Sequence, residues 1–158
     1  MKKRWLTAVL ATAVASVFLI NPLPSWSADK GPIKIGFISP LSGGMAANGK
    51  DMLAGAQLYL EEIKSQAAGR KIELLVEDDE ANPAVGLTKS RKLIEKDGVH
   101  IMTGGLMAST AYALAPYIDS KGVPMTYPIM SADDITQRKI PKWIVRTGWS
   151  SSQPHQPF

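Results

Sequence analysis

The stretch IKIGFISPLSGGMAANGKD, residues 33–51, decides how the rest of the chain is read. Its first seven residues are largely apolar on both faces, which suits a strand buried in a parallel sheet better than one with a wet face. A loop of glycine and small residues follows, and a helical period then takes over. Met52, Ala56, Tyr59, Leu60 and Ile63 recur at helical spacing, with Asp51, Gln57, Glu61 and Lys64 on the other side. This helix is therefore expected to pack on the sheet through its apolar stripe.

The same alternation continues downstream. Residues 72–76, IELLV, read as a second buried strand. Asn82 is a good N-cap with Pro83 at the first helical position, and the helix through Leu87, Leu93 and Ile94 is expected to stop at Gly98. Residues 101–103 form a third strand before Gly104-Gly105. A helix from about Ser109 follows, with Ala111, Leu114, Ala115 and Ile118 on its core stripe and Gly122 and Pro124 ending it. Pro116 is expected to kink that helix or loosen its first turns. Residues 123–127 and 143–146 read as strands four and five, with a loop or short helix over 133–138. Strands alternating with longer helical segments imply an α/β fold around a parallel sheet.

Upstream of the first strand, Lys2, Lys3 and Arg4 precede an uncharged apolar run over residues 5–20, which Asn21-Pro22 breaks. This is the grammar of a secretory signal peptide. Ser25-Trp26-Ser27 puts small residues where cleavage needs them, so residues 1–27 are read as the signal, with the mature chain starting near Ala28. The apolar run is shorter than the roughly 20 residues of a spanning helix, so no membrane span is expected after cleavage.

The charge argument changes once the signal is removed. Of 18 basic residues three lie in the signal and none of the 14 acidic ones do, so the formal +4 of the whole chain falls to about neutral. Nucleic-acid binding would want a concentrated basic face and is not expected. Arg91-Lys92 and Arg138-Lys139 read as solvated surface. The chain has no cysteine, which excludes disulfides and thiolate metal sites. The length that remains suits one domain.

In an open parallel sheet, ligands sit beyond the carboxyl ends of the strands. Three loops there carry useful chemistry. Residues 42–49, SGGMAANG, offer backbone amides and the Asn48 side chain. Residues 104–110, GGLMAST, offer amides, two hydroxyls and a helix N-terminus suited to a carboxylate. Residues 128–133, PIMSAD, add two apolar side chains and a hydroxyl. The plainer alternative is that Ser109 or Thr110 only caps the third helix.

Other chemistry is weakly supported. Residues 44–50, GMAANGK, have P-loop spacing, but Asp51 stands where Ser or Thr should ligate Mg²⁺, so a nucleotide site is not expected. His100 and His155 are far apart in sequence and are read as structural. There is no G-x-S-x-G nucleophile elbow and no visible acid, base and nucleophile set, so an enzyme is not expected. The acidic run 77–80 is read as a solvated strand end rather than a metal site. No cofactor is implied.

The order SPLSG, NGKDMLAGAQLYLEEI, IELLVEDDEANPAVGLTKSRKLI and IMTGGLMASTAYALAPYIDSKGVPMTYP resembles the N-terminal part of the branched-chain amino-acid (Leu/Ile/Val-binding) class of periplasmic substrate-binding proteins, receptors of ABC importers. The resemblance implies one parallel-sheet lobe of a two-lobed, type I periplasmic binding protein whose lobes close on a ligand. It also implies a periplasmic location and an ABC permease as partner of the complete two-lobed protein. By position, it assigns ligand contacts to Met107, Ala108, Ser109 and Thr110 after strand three, to Ile129, Met130 and Ser131 after strand four, and to Asn48 after strand one.

Two departures from the class matter. Amino-acid-binding members tend to carry a hydroxyl residue where this chain has Ala108 and an aromatic residue where it has Asn48, which weakens the case for a branched-chain amino acid as ligand. Members of the class are also well over twice as long. Residues 28–149 are thus expected to be a partial ligand-binding lobe and residues 150–158 a truncated tail toward the hinge, with the second lobe absent. The expected function is a solute receptor for a small organic acid or amino acid; the alternative is a ligand-sensing regulatory domain of the same fold.

Overall fold

The computed structural model describes residues 31–138 and 141–153. The signal reading of 1–27 and the last residues of the tail, 154–158, lie outside the described residues. Twelve elements follow in order: β1 (Ile33–Ser39), a 3₁₀ turn (Gly43–Met45), α1 (Ala46–Glu62), β2 (Gln66–Ala67), β3 (Arg70–Asp78), α2 (Pro83–Arg91) running into a π turn (Lys92–Lys96), β4 (Ile101–Gly104), α3 (Ala108–Lys121), β5 (Met125–Tyr127), a second π turn (Asp134–Arg138) and β6 (Ile144–Arg146). The sheet order is β2-β3-β1-β4-β5-β6. Every pairing is parallel except β2 with β3.

β2 was not expected from the sequence. Its hairpin turns through Ala68 at φ 50° and Gly69 at φ 74°, left-handed values that a two-residue turn needs and that Asn-Gly would have announced more clearly than Ala-Gly does. The hairpin also explains why β3 reaches back to Arg70 instead of starting near residue 72.

The chain steps left from β1 to β3 and then right from β3 past β1 to β4, so helices fall on opposite faces under the right-handed crossover preference. α2 and α3 share one face. Ile38, Leu93, Met102, Leu114, Ile118, Met125 and Tyr127 form the core there, all at most 1 % exposed. On the strand register, Ile35, Phe37, Leu74, Val76, Thr103, Thr126 and Val145 point to the other face. Val76 and Val145 are exposed.

α1 departs from expectation. Gly49 is its one buried residue, tucked so close to β1's end that an added Cβ would lie 1.8 Å from the Pro40 carbonyl oxygen. Met52, Ala56, Leu60 and Ile63 are half-buried, but Tyr59, expected on the core stripe, is 61 % exposed. No neighbouring described helix stands beside α1 on that face to enclose it.

The acidic run 77–80 also departs from expectation, since Glu77 and Asp79 are buried. The strand's alternation turns Glu77 toward α2, where Lys89 lies 2.8 Å away and Lys92 also pairs with it. Burial would raise the Glu77 pKa, but the two lysines more than offset it and hold the carboxyl below its usual range. His100 is structural, its Nδ1 accepting from the Lys34 amide at 3.0 Å.

Candidate functional site

β1, β4 and β5 are parallel neighbours, so the three loops after them open on one edge of the sheet. The crevice between β1 and β4 is the switch point where the winding reverses, the place where open α/β sheets take ligands. Backbone contact there is tight. The Gly105 amide donates to the Ile38 carbonyl at 2.6 Å, and Gly104 adopts φ 106° against the same carbonyl.

α3 starts one residue earlier than the sequence suggests, at Ala108, and Met107 occupies the N-cap without a side-chain cap bond. Ser109 and Thr110 are therefore inside the first turn and cap nothing. The amides of Ala108, Ser109 and Thr110 have no intrahelical acceptor, and the helix dipole is positive there. The helical phase separates the two hydroxyls. Ser109 is exposed. Thr110 is 1 % exposed and sits with Ala111, Leu114 and Ile118 on the buried stripe. Its methyl lies 2.7 Å from where a Cβ on Gly86 would be, and its Oγ1 has no partner.

The loop after β5 is divided in the same way. Ile129 is 41 % exposed while Met130 is 1 % exposed and belongs to the core, its sulfur accepting from the Ala132 amide at 3.2 Å. Ser131 is half-buried. A depression of about 440 Å³ is lined by Ala108, Ser131, Asp133, Tyr112 and Arg138, among others. It joins the loop after β4 to the loop after β5. Of the residues singled out in the sequence, Ala108 and Ser131 meet at this depression, and Met107, Ser109 and Ile129 retain exposure beside it in sequence. The Thr110 and Met130 side chains turn into the core, leaving only their backbones for a ligand. Asn48 lies on the exposed first turn of α1 rather than in a loop.

The P-loop spacing at residues 44–50 has no matching structure, because α1 begins at Ala46 and Lys50 projects from it into solvent. Among the described residues, no group of three or more His, Asp or Glu side chains could hold a metal ion.

Two acidic side chains, Asp133 and Asp134, also line the depression, which would repel a carboxylate if they stood alone. Each has an answer. Asp134 pairs with Arg138 at 2.9 Å. Asp133 faces Arg146 at 3.6 Å; burial would raise its pKa, but the hydroxyls of Ser152, Ser151 and Ser150 and the Arg146 charge hold it below the usual range. Arg146 was missed in the sequence. A signal existed, since two-residue alternation puts Arg146 on the same core-facing side as Ile144, and a charge on that side needs partners.

Beneath the loops, Asp79 is fully buried. Its Oδ1 accepts from the Ala81 amide at 2.9 Å, while Oδ2 has no partner. Burial raises its pKa, the Ala81 bond lowers it, and the Asp78 charge raises it again, for a net upward shift. A carboxyl raised on folding stabilises the fold below its unfolded pKa, and that contribution is lost as pH rises through the folded value. Asp79→Asn keeps the acceptor for Ala81 and removes the buried charge. It should gain stability on the parent as pH rises toward 8, because only the parent must then bury a charge, with the gain shrinking toward acid. Thermal unfolding of both proteins between pH 4 and pH 8 checks this; a gain independent of pH would contradict it.

No helix among the described residues is long and apolar enough to cross a membrane. A periplasmic binding protein family model matches residues 32–158. The Leu/Ile/Val-binding protein BraC3 of Rhizobium johnstonii is 33 % identical over 135 residues, which are 84 % of this chain and 35 % of that protein. A solute-binding protein of an ABC transporter from Rhodopseudomonas palustris BisB5, solved with 3,4-dihydroxybenzoic acid, superposes at a TM-score of 0.71 with 31 % identity over 75 % of this chain and 32 % of its own. The branched-chain amino-acid transporter substrate-binding protein LivJ of Streptococcus pneumoniae, in complex with isoleucine, superposes at 0.71 with 26 % identity, covering 77 % of this chain and 35 % of that one. The chain thus spans about a third of the length of these relatives. They are substrate-binding receptors rather than enzymes, with the type I fold. Sheet order, switch-point loops and matched residues lead to one conclusion: the chain belongs to the periplasmic binding protein family.

Proposed function

We infer that this chain supplies the N-terminal ligand lobe of a periplasmic solute receptor that delivers a small carboxylate, an amino acid or an aromatic acid, to an ABC importer. The observation that carries this reading is the depression shared by Ala108 at the start of α3 and Ser131 after β5. It brings a helix N-terminus and a hydroxyl to one place, with the nearby acidic charges already paired. Ser131 and Ser109, with the first-turn amides of α3, hold the carboxylate. Met107 and Ile129 flank the apolar part. The names of the relatives, whose ligands include isoleucine and 3,4-dihydroxybenzoic acid, support this ligand class. Residues 1–27 act as the export signal and residues 28–149 as the lobe.

A receptor that closes on its ligand buries it between two surfaces, so one lobe leaves the ligand wet on one side and binds it weakly. NMR titration of the chain with 3,4-dihydroxybenzoate and with isoleucine, with acetate as control, reads such affinities residue by residue. The expected result is shifts centred on Ala108, Ser109 and Ser131. Ser131→Ala removes a hydrogen bond to a charged group, about 1.5–3 kcal/mol, and should weaken binding roughly ten- to hundred-fold with little change in melting temperature. Unchanged affinity in both Ser109→Ala and Ser131→Ala would mean that these hydroxyls are not the carboxylate site.

A further inference from the structure

The geometry points to Arg146 as a positioning residue for the ligand loop after β5, a role that rests on the carboxylate site proposed above. Its side chain is 9 % exposed, and one guanidinium nitrogen, Nη1, donates to the Ser131 carbonyl at 3.0 Å and to the Ala132 carbonyl at 3.2 Å. The Ser131 carbonyl also accepts from the Ser151 amide at 2.9 Å. Both peptide units that follow Ser131 are thus pinned from the β6 side.

The segment after β6 runs alongside this loop for its whole length. The Thr147 amide donates to the Tyr127 carbonyl at 3.1 Å. Gly148 passes so close that a Cβ there would lie 2.3 Å from the Pro128 carbonyl oxygen. Ser150 is locked by Gln153, whose Oε1 accepts from the Ser150 amide at 2.7 Å, and its hydroxyl lies 3.1 Å from that of Ser152. Asp133 faces Arg146 at 3.6 Å. The brace therefore puts no net charge beside the depression. What it does is fix the backbone of Ser131, the half-buried residue that lines the depression together with Ala108. A carbonyl held by a charged donor and a second amide cannot swing toward the ligand and present the wrong group.

Arg146→Met keeps the apolar stem and removes every donor, while Arg146→Lys restores the charge and one reach to the carbonyls. In the full chain, amide exchange over residues 128–133 should accelerate about ten-fold in Arg146→Met, and affinity for 3,4-dihydroxybenzoate and isoleucine should fall about ten-fold, the scale of one charge-assisted bond. Arg146→Lys should recover part of both. Parental affinity in Arg146→Met while Ser131→Ala binds weakly overturns the positioning role and leaves the carboxylate site standing. Parental affinity in Ser131→Ala overturns the site itself, and a parent chain that binds neither probe overturns both. If Arg146→Met does not fold, Arg146→Gln, which loses the charge and cannot span both carbonyls, decides: weakened binding with an unchanged melting temperature supports the role, and parental binding refutes it.

Discussion

Replacing Gly104 by alanine is expected to destabilise the fold by about 2–5 kcal/mol, combining the cost of a side chain in a left-handed conformation with that of overpacking. Gly104 has φ 106°, and its added Cβ would lie 2.2 Å from the Ile38 carbonyl oxygen. That oxygen is backbone, in a central strand of the sheet, and it already accepts the Gly105 amide at 2.6 Å. Neither partner can move away cheaply. A domain of this size has roughly 5–15 kcal/mol to lose, so the substitution removes a large share of the stability. Gly55→Ala is the control with the opposite sign. Gly55 is inside α1 with nothing within 4 Å of its added Cβ, and alanine there should add about 0.5–1 kcal/mol. Urea unfolding of both variants measures the difference; a Gly104→Ala midpoint equal to the parent's would show that the switch-point crevice has room for a side chain.

Leu114→Ala should cost about 2–5 kcal/mol, the range for deleting a buried leucine side chain and leaving a cavity. Leu114 is 1 % exposed, and its Cδ1 lies 3.5 Å from where a Cβ on Gly86 would be, at the crossing of α2 and α3. The variant should loosen α3, including the first turn that carries Ala108 and Ser109. Amide exchange across residues 108–118 together with thermal unfolding tests this. A loss well under 1 kcal/mol would mean that the crossing collapses around the smaller side chain.

Much of the fold was legible because its signals are local. The Asn82-Pro83 pair marks the start of α2 by chemistry within four residues: Asn82 Oδ1 accepts from the Ala84 and Val85 amides at 2.9 and 3.4 Å. Gly122, at φ 66°, ends α3 as a left-handed C-cap. The five long-range strands appear at the expected places, with β5 and β6 shorter than their apolar runs suggest. Even the burial of Thr110 was readable, since it lies four residues before Leu114 and eight before Ile118, on the stripe that points inward.

The sequence by itself determined the order of the five parallel strands and the three helices between them, the loops that share an edge and the family to which they belong, because periodicity, caps and turn residues act over a few positions. The tertiary structure decided the rest. Only packing shows that Met130 is core while Ile129 is not, that Glu77 and Asp79 are buried, that α1 stays half-covered, and that Arg146 reaches back to the carbonyls of residues 131 and 132. Each of these depends on what another segment places opposite the residue, and no local pattern encodes that neighbour.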